Sequence, residues 1–455
     1  MKQIAGAKKL NAFVEVFATE SIHRARQLDA ERENGKPLGL LHGVIVAIKD
    51  VICYADHHVT AASNILAGFK SLYSSTAVKK LAEADAIIIG RCNCDEFAMG
   101  STNENSCYGK VLNAFDETKV SGGSSGGSAV AVQAGLCMLS LGSDTGGSVR
   151  QPADFCGIIG FKPGYGKISR HGLIAYASSF DQIGVFGTSV QDVALVSKII
   201  SGGDEYDSTV ILKGDTEKNN VDQNNNYQLK KPAIAYFKNA LEHHSLDPEI
   251  KQNIYSLIGQ LKEDGYSVEA LNFELLDYVV PTYYVLTTAE ASSNLSRYDG
   301  IRYGPVTEPH EPDLTKFYTK NRSKNFGKEV KRRIMLGTFV LSAGYYDAYF
   351  AKAQQVRRII CEETNTIFKN FDVLVLPTVP STAFKIDDFS KDPVAMYLAD
   401  IYTVFANLAG IPALSIPLFK HSNGLPFGLQ VMSGKFSELS LLKLSEKLLA
   451  NYRRY

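Results

Sequence analysis

The chain has 455 residues, with 48 Lys and Arg balancing 48 Asp and Glu, so no net field draws it to a membrane surface or to nucleic acid, and contact with nucleic acid would call for a partner. Its seven Cys, at 53, 92, 94, 107, 137, 156 and 361, form an odd set without C-x-x-C, which suits a reducing compartment, and Cys92 and Cys94 stand too close together for a standard zinc site, so no metal is expected in this chain. The opening MKQIAGAKKLNAFVEV lacks the apolar core of a signal peptide, and no segment nears the ~20 apolar residues of a membrane span; a cytoplasmic protein with no membrane contact is expected.

Residues 11–17 alternate as a short strand, and 20–33 read as a helix stopped by Gly35. The run 44–52, GVIVAIKDVI in its setting, is apolar and largely β-branched and reads as a buried strand carrying Lys49 near its end. A helix over 76–84 leads into a strand over 86–90. The polar loop MGSTNENSCYG at 99–109 precedes the richest stretch of the chain; its Gly109 and Lys110 lack Walker spacing, so no ATP site is visible.

That stretch, 120–152, holds two Ser/Gly loops, GGSSGGS at 122–128 and GSDTGGS at 142–148, separated by apolar sequence long enough for one helix and one short strand. Glycine lets the backbone approach a ligand, and the N–H groups of Thr145, Gly146, Gly147 and Ser148 precede a helix start at Arg150 with Pro152 in its first turn. Such a loop reads as an oxyanion hole with a nucleophile inside it. A flexible linker is the bland reading of this composition, but linkers flank domains, whereas these loops are interleaved with buried-looking Ala, Val and Leu.

A nucleophile needs a base. None of the nine His lies in a segment that argues for catalysis. Burial can lower a lysine by about 3–5 units, enough to make Lys49 a base, although from the strand pattern alone Lys49 and Asp50 read better as a solvated strand end.

Beyond the loops, 203–231 is polar and Asn/Asp-rich and reads as a surface excursion. Strands follow at 232–237, 372–378, 413–418 and 427–433, and helices at Pro248–Glu263, 394–408 and 437–452. Both halves alternate alike, so a single α/β domain over 1–455 is expected, with a mixed sheet covered by helices on both faces.

Lys49, Ser124 within GGSSGGS and Ser148 within GSDTGGSVRQPADFCGIIGFKP resemble the amidase signature family. The resemblance implies a Lys–Ser–Ser triad: Ser148 the nucleophile, Ser124 a bridging serine after a cis peptide bond, and Lys49 the base. CGIIGFKPGYGKISRHGLIAYASSFDQIG, 281–303 and 326–349 narrow it to the tRNA-dependent amidotransferase branch. Members of that branch are glutaminase subunits. They take free glutamine and sit with B and C subunits in a heterotrimer; ATP and Mg²⁺ are used at a partner, which also makes most contact with Glu-tRNA(Gln), and this chain would hold no cofactor. Free glutamine offers a carboxylate, which suits a guanidinium, and an ammonium, which suits a carboxylate; by resemblance these are met by Arg333 and Asp400, with Tyr284 a wall of the pocket. Read by themselves, KRR on a helix is a solvated face and a lone Asp a cap. Three other readings remain: a stand-alone amidase for another small amide; an α/β-hydrolase, since Gly122–Gly126 formally fits G-x-S-x-G but lacks the strand before it; and a scaffold without chemistry, which three intact triad positions disfavour.

Overall fold

The apolar run around Lys49 forms β2 (Ile45–Lys49), a central strand of the sheet, in this computed structural model, which describes residues 1–211, 231–307, 309–388 and 399–454. Alternation along β2 sends Val46 and Ile48 into one apolar cluster and Ala47 into a second, so both faces of the sheet are covered. Complete burial of such an aliphatic side chain contributes about 1.5–3 kcal/mol. The other strands are β1 (Phe13–Val16), β3 (Ile87–Cys92), β4 (Leu139–Asp144), β5 (Ile159–Lys162), β6 (Gln182–Gly187), β7 (Ile234–Phe237), β8 (Val268–Leu271), β9 (Val373–Pro377), β10 (Ala413–Lys420) and β11 (Pro426–Ser433).

Among the described residues these strands join in one mixed sheet, ordered β1-β3-β2-β4-β6-β5-β10-β11-β9-β7-β8. The pairs β2–β3, β2–β4, β7–β8 and β7–β9 are parallel, and the others antiparallel. The expected mixed α/β sheet is therefore present.

What positions the site is the segment between the two Ser/Gly loops. Helix Gly126–Gln133 is buried over Gly126–Val132, and it can lie this close to the sheet because its first residues have no bulk: a Cβ on Gly127 would stand 2.4 Å from the Asn93 carbonyl oxygen. The chain then turns through β4, whose register with β2 pairs Ile48 with Leu141, and so carries the second loop alongside the end of β2. Helix Arg150–Phe155 follows at once. The two loops meet at the end of the strand that bears Lys49.

Two expectations need correction or restriction. Within the described part of the helix expected over 394–408, residues 399–403 are turns and the helix is Val404–Ala409; the Thr403 N–H closes a turn onto the Asp400 carbonyl and the Thr403 hydroxyl donates to the carbonyl of Gly146. The part at 394–398 lies outside the described residues, as does most of the polar excursion at 203–231.

Candidate active site

Lys49 is fully buried at the C-terminal end of β2, and so is Asp50, which accepts N–H donors from Thr60 and Ala62 and pairs with Arg91. The solvated strand end is excluded. The Lys49 Nζ lies 2.7 Å from Ser124 Oγ, 2.9 Å from Ser125 Oγ and 2.9 Å from Ser143 Oγ. Burial lowers its pKa from 10.5 to about 8, against the opposing fields of Cys94, Asp95, Asp144 and Asp181. The Gly123–Ser124 peptide bond is cis. Gln151 lies against it: with the amide oriented so that its nitrogen faces these acceptors, it donates to the carbonyls of Gly123 at 3.0 Å and Ser101 at 2.8 Å.

Ser148 lies at the mouth of the second loop, lining a narrow polar cavity with Ser101, Gly123, Gly146, Tyr283, Arg333 and Asp400 among its walls. The loop is tied from beneath. Asp144 accepts the N–H groups of Gly147 at 2.9 Å and Val149 at 3.1 Å, and Arg150 grips both its carboxylate oxygens at 2.9 and 3.1 Å. That pairing, set against burial, holds the Asp144 carboxyl far below the usual range. The N–H of Gly147, expected as an oxyanion donor, is thus already bound to Asp144. The Thr145 side chain is anchored by Asp181 at 2.7 Å. Neither glycine admits a side chain: a Cβ on Gly146 would meet the Tyr283 hydroxyl at 2.3 Å, and one on Gly147, at φ +125°, the Thr403 hydroxyl at 2.3 Å.

The charged pair named from the sequence reaches the same cavity. On helix Lys328–Val340, Arg333 turns inward, buried at 3 % exposure, with Nε on Glu329 at 2.9 Å and Nη1 on the Tyr176 hydroxyl at 2.8 Å. The solvated face suggested by KRR belongs to Lys331, which is exposed. Asp400 accepts from the Tyr284 hydroxyl at 2.7 Å and from Ser101 at 3.0 Å; burial raises it to about 6 while those bonds and Arg333 pull the other way. Tyr284 therefore stands behind Asp400, and the cavity wall expected of it is supplied by its neighbour Tyr283. The loop at 99–109 contributes Gly100 and Ser101 to the cavity.

Ser125, Ser143, Asp144, Arg150, Tyr283 and Glu329 were not singled out from the sequence. The recurrence of Ser beside each loop glycine is a signal for the first two; the others become visible only once strand register and helix phase are known. Among the described residues no cluster of three or more His, Cys, Asp or Glu could hold a metal ion, and no helix is long and apolar enough to cross a membrane.

A mixed sheet presenting two serine loops to a buried lysine, with an acid and a guanidinium in the adjoining cavity, defines an amide-cleaving enzyme. The chain belongs to the amidase family, whose family model matches residues 1–442. It is 48 % identical to the A subunit of the glutamyl-tRNA(Gln) amidotransferase of Fusobacterium nucleatum, over 97 % of this chain and 89 % of that protein, and 46 % identical to its counterpart in Chlorobaculum tepidum, over 98 % and 92 %. Among solved structures, the crystal structure of the Thermotoga maritima counterpart superposes with a TM-score of 0.75 at 39 % identity, covering 91 % of this chain and 85 % of that one.

Proposed function

We propose that this chain is the glutaminase subunit of a tRNA-dependent amidotransferase, releasing ammonia from glutamine for the conversion of Glu-tRNA(Gln) to Gln-tRNA(Gln). The observation that carries the reading is the shared cavity: Ser148, the anion Asp400 and the cation Arg333 line one small space beside the Lys49–Ser124 pair. An amino acid with an amide side chain needs that charge pattern, and a simple amide does not. Arg333 would take the α-carboxylate and Asp400 the α-ammonium, with Tyr284 and Ser101 holding the carboxylate of Asp400 in place.

In this mechanism neutral Lys49 takes the proton of Ser124 as Ser124 takes that of Ser148, and Ser148 Oγ attacks the side-chain amide carbon. The oxyanion is met by backbone N–H groups of the loop Thr145–Ser148, Gly147 excepted. When the C–N bond breaks, the proton returns along the same path to the leaving nitrogen, giving ammonia and a γ-glutamyl ester on Ser148. Water then adds to the ester carbon, giving its proton to the same relay, and glutamate leaves as Ser148 recovers its hydrogen. B and C partner subunits complete the enzyme; ATP and Mg²⁺ act at the partner that activates tRNA-bound glutamate, and the proposed setting is the cytoplasm.

The test is ammonia release from glutamine by the chain with and without its partner subunits, ATP and Glu-tRNA(Gln). Release that depends on Ser148 and rises with partners and tRNA supports the reading. Indifference to glutamine alongside cleavage of simple amides would make the chain a stand-alone amidase. A companion prediction concerns the charged pair: Arg333→Lys and Asp400→Asn should each raise KM for glutamine by about 10–100-fold, the worth of one charge-assisted hydrogen bond. Steady-state kinetics with glutamine and a simple aliphatic amide would check it; equal losses on both would discard the assignment.

A further inference from the structure

The hydrogens around Lys49 are constrained more tightly than the triad requires. Ser125 Oγ donates its only hydrogen to the Ser143 carbonyl at 3.1 Å and accepts the Ser143 N–H at 3.3 Å. A serine hydroxyl has one donor and two acceptor sites, so toward Lys49, 2.9 Å away, Ser125 has only a lone pair to offer. It must accept a lysine N–H. The free amine, with two hydrogens and one lone pair, then has one N–H and the lone pair to divide between Ser143 and Ser124.

We infer that Ser125 and Ser143 are positioning residues: by accepting the two N–H groups of the free amine they turn the lone pair of Lys49 onto the hydroxyl hydrogen of Ser124. This rests on the triad reading above. With Ser125 a compulsory acceptor, only one competing arrangement exists, in which Ser143 donates to the amine and Ser124 is left to accept, and there no proton can leave Ser124. When Ser124 has passed its proton on, Lys49 has three N–H groups and three hydroxyl oxygens to receive them, so the pocket accommodates both protonation states without moving. The titratable groups that face the amine are Cys94, whose thiol burial keeps protonated, and Asp95, both just after β3, Asp144 at the end of β4 and Asp181, just before β6. All lie on other elements, and none donates a hydrogen bond to Nζ.

Removing an acceptor harms the ammonium more than the free amine, because hydrogen bonds to a charged group are the stronger ones. The lysine should therefore titrate lower while its lone pair loses direction. The measurement is kcat and KM for glutamine across the titration of Lys49, in the assembled enzyme, for wild type, Ser125→Ala, Ser143→Ala and Ser143→Thr, with Ser148→Ala alongside and thermal melts of each. For the two alanine variants the plateau of kcat should fall by roughly 10–100-fold with KM within about twofold, and the acid limb should move down by about one pH unit. Ser143→Thr keeps the hydroxyl and should restore both. If one alanine variant does not fold, the other carries the test.

A fall in kcat without movement of the limb, or Ser143→Thr as impaired as Ser143→Ala at an unchanged melting point, would overturn the inference, and so would wild-type behaviour of both alanine variants. Turnover persisting in Ser148→Ala would instead overturn the triad reading beneath it. The two failures are therefore distinguishable.

Discussion

Replacing Lys49 with Met should abolish glutamine hydrolysis while leaving the fold at close to its original stability. The chemistry depends on a free amine in contact with Ser124, and no second base lies within hydrogen-bond reach of that hydroxyl among the described residues. A general base contributes about 10²–10⁴-fold, and loss of the relay also strands the nucleophile, so kcat should fall by at least ~10⁴. Ser148→Ala should be as severe, and Ser124→Ala should leave a small remnant. Stability behaves differently. Moving the lysine from 10.5 to about 8 means that keeping it charged inside the protein costs roughly 3 kcal/mol, a penalty that Met does not carry and that offsets the hydrogen bonds lost at three hydroxyls. The sign is fixed by the direction of the shift: the folded value lies below the unfolded one, so the penalty is full below about pH 8 and disappears as pH rises toward the unfolded value. Wild-type stability should rise over that interval, and the rise should be smaller in Lys49→Met. In wild type, the same titration makes kcat/KM climb through about pH 8. An inactive variant with an unchanged melt separates lost chemistry from lost structure; a Lys49→Met enzyme that still hydrolyses glutamine would remove lysine from the mechanism.

The parts of the site that could be read from the sequence are those fixed by local chemistry. A β-branched run ending in Lys49 and two Ser/Gly loops joined by one helix and one strand are local patterns, and they fold locally, as Ile45–Lys49, Gly126–Gln133 and Leu139–Asp144. The sequence is silent where position depends on register or phase. Ser143 reaches Lys49 because β2 and β4 run parallel with Ile48 beside Leu141, which no periodicity reveals. Arg333 rather than Lys331 or Arg332 faces the cavity because helix phase turns it inward to the Tyr176 hydroxyl, although Glu329 accepts from both Arg332 and Arg333; Tyr283 and Tyr284 exchange roles because adjacent helical residues point about 100° apart. The order of the eleven strands is likewise set by long-range pairing. Of the helix expected over 394–408, the described part is helical only from Val404, and the preceding turn at 399–403 is tied by the Thr403 hydroxyl to the carbonyl of Gly146, a residue more than 250 positions away.

The largest stability loss is expected from Arg150→Met. Arg150 is wholly buried and satisfies both oxygens of Asp144, the carbonyl of Thr403 at 2.7 Å and the side chains of Asn407 and Gln430. A buried pair adds little when compared with an apolar replacement of both partners, but breaking it from one side leaves an uncompensated charge and costs about 3–5 kcal/mol. In a chain of this length that moves the melting midpoint by only ~3–5 °C, so denaturant unfolding is the more sensitive measurement. Asp144→Asn in the same chain should recover part of the loss, because it removes the stranded charge. The pH dependence gives an independent check. In wild type the Asp144 carboxyl is held below its unfolded value, so its contribution is present above the ordinary carboxylate range and is lost only as pH falls through the depressed folded value. Without Arg150, burial dominates and the carboxyl rises, so the deficit of the variant should shrink as pH is lowered from neutrality toward that range. A deficit independent of pH, or no recovery with Asp144→Asn, would mean that Arg150 acts through packing and not through charge. Activity should fall with stability: Asp144 holds the N–H groups on either side of Ser148, and Arg150 also carries the carbonyl of Thr403, whose hydroxyl is bound to Gly146 and which lies three residues from Asp400. One guanidinium thus sets the nucleophile loop against the turn that carries the proposed ammonium anchor.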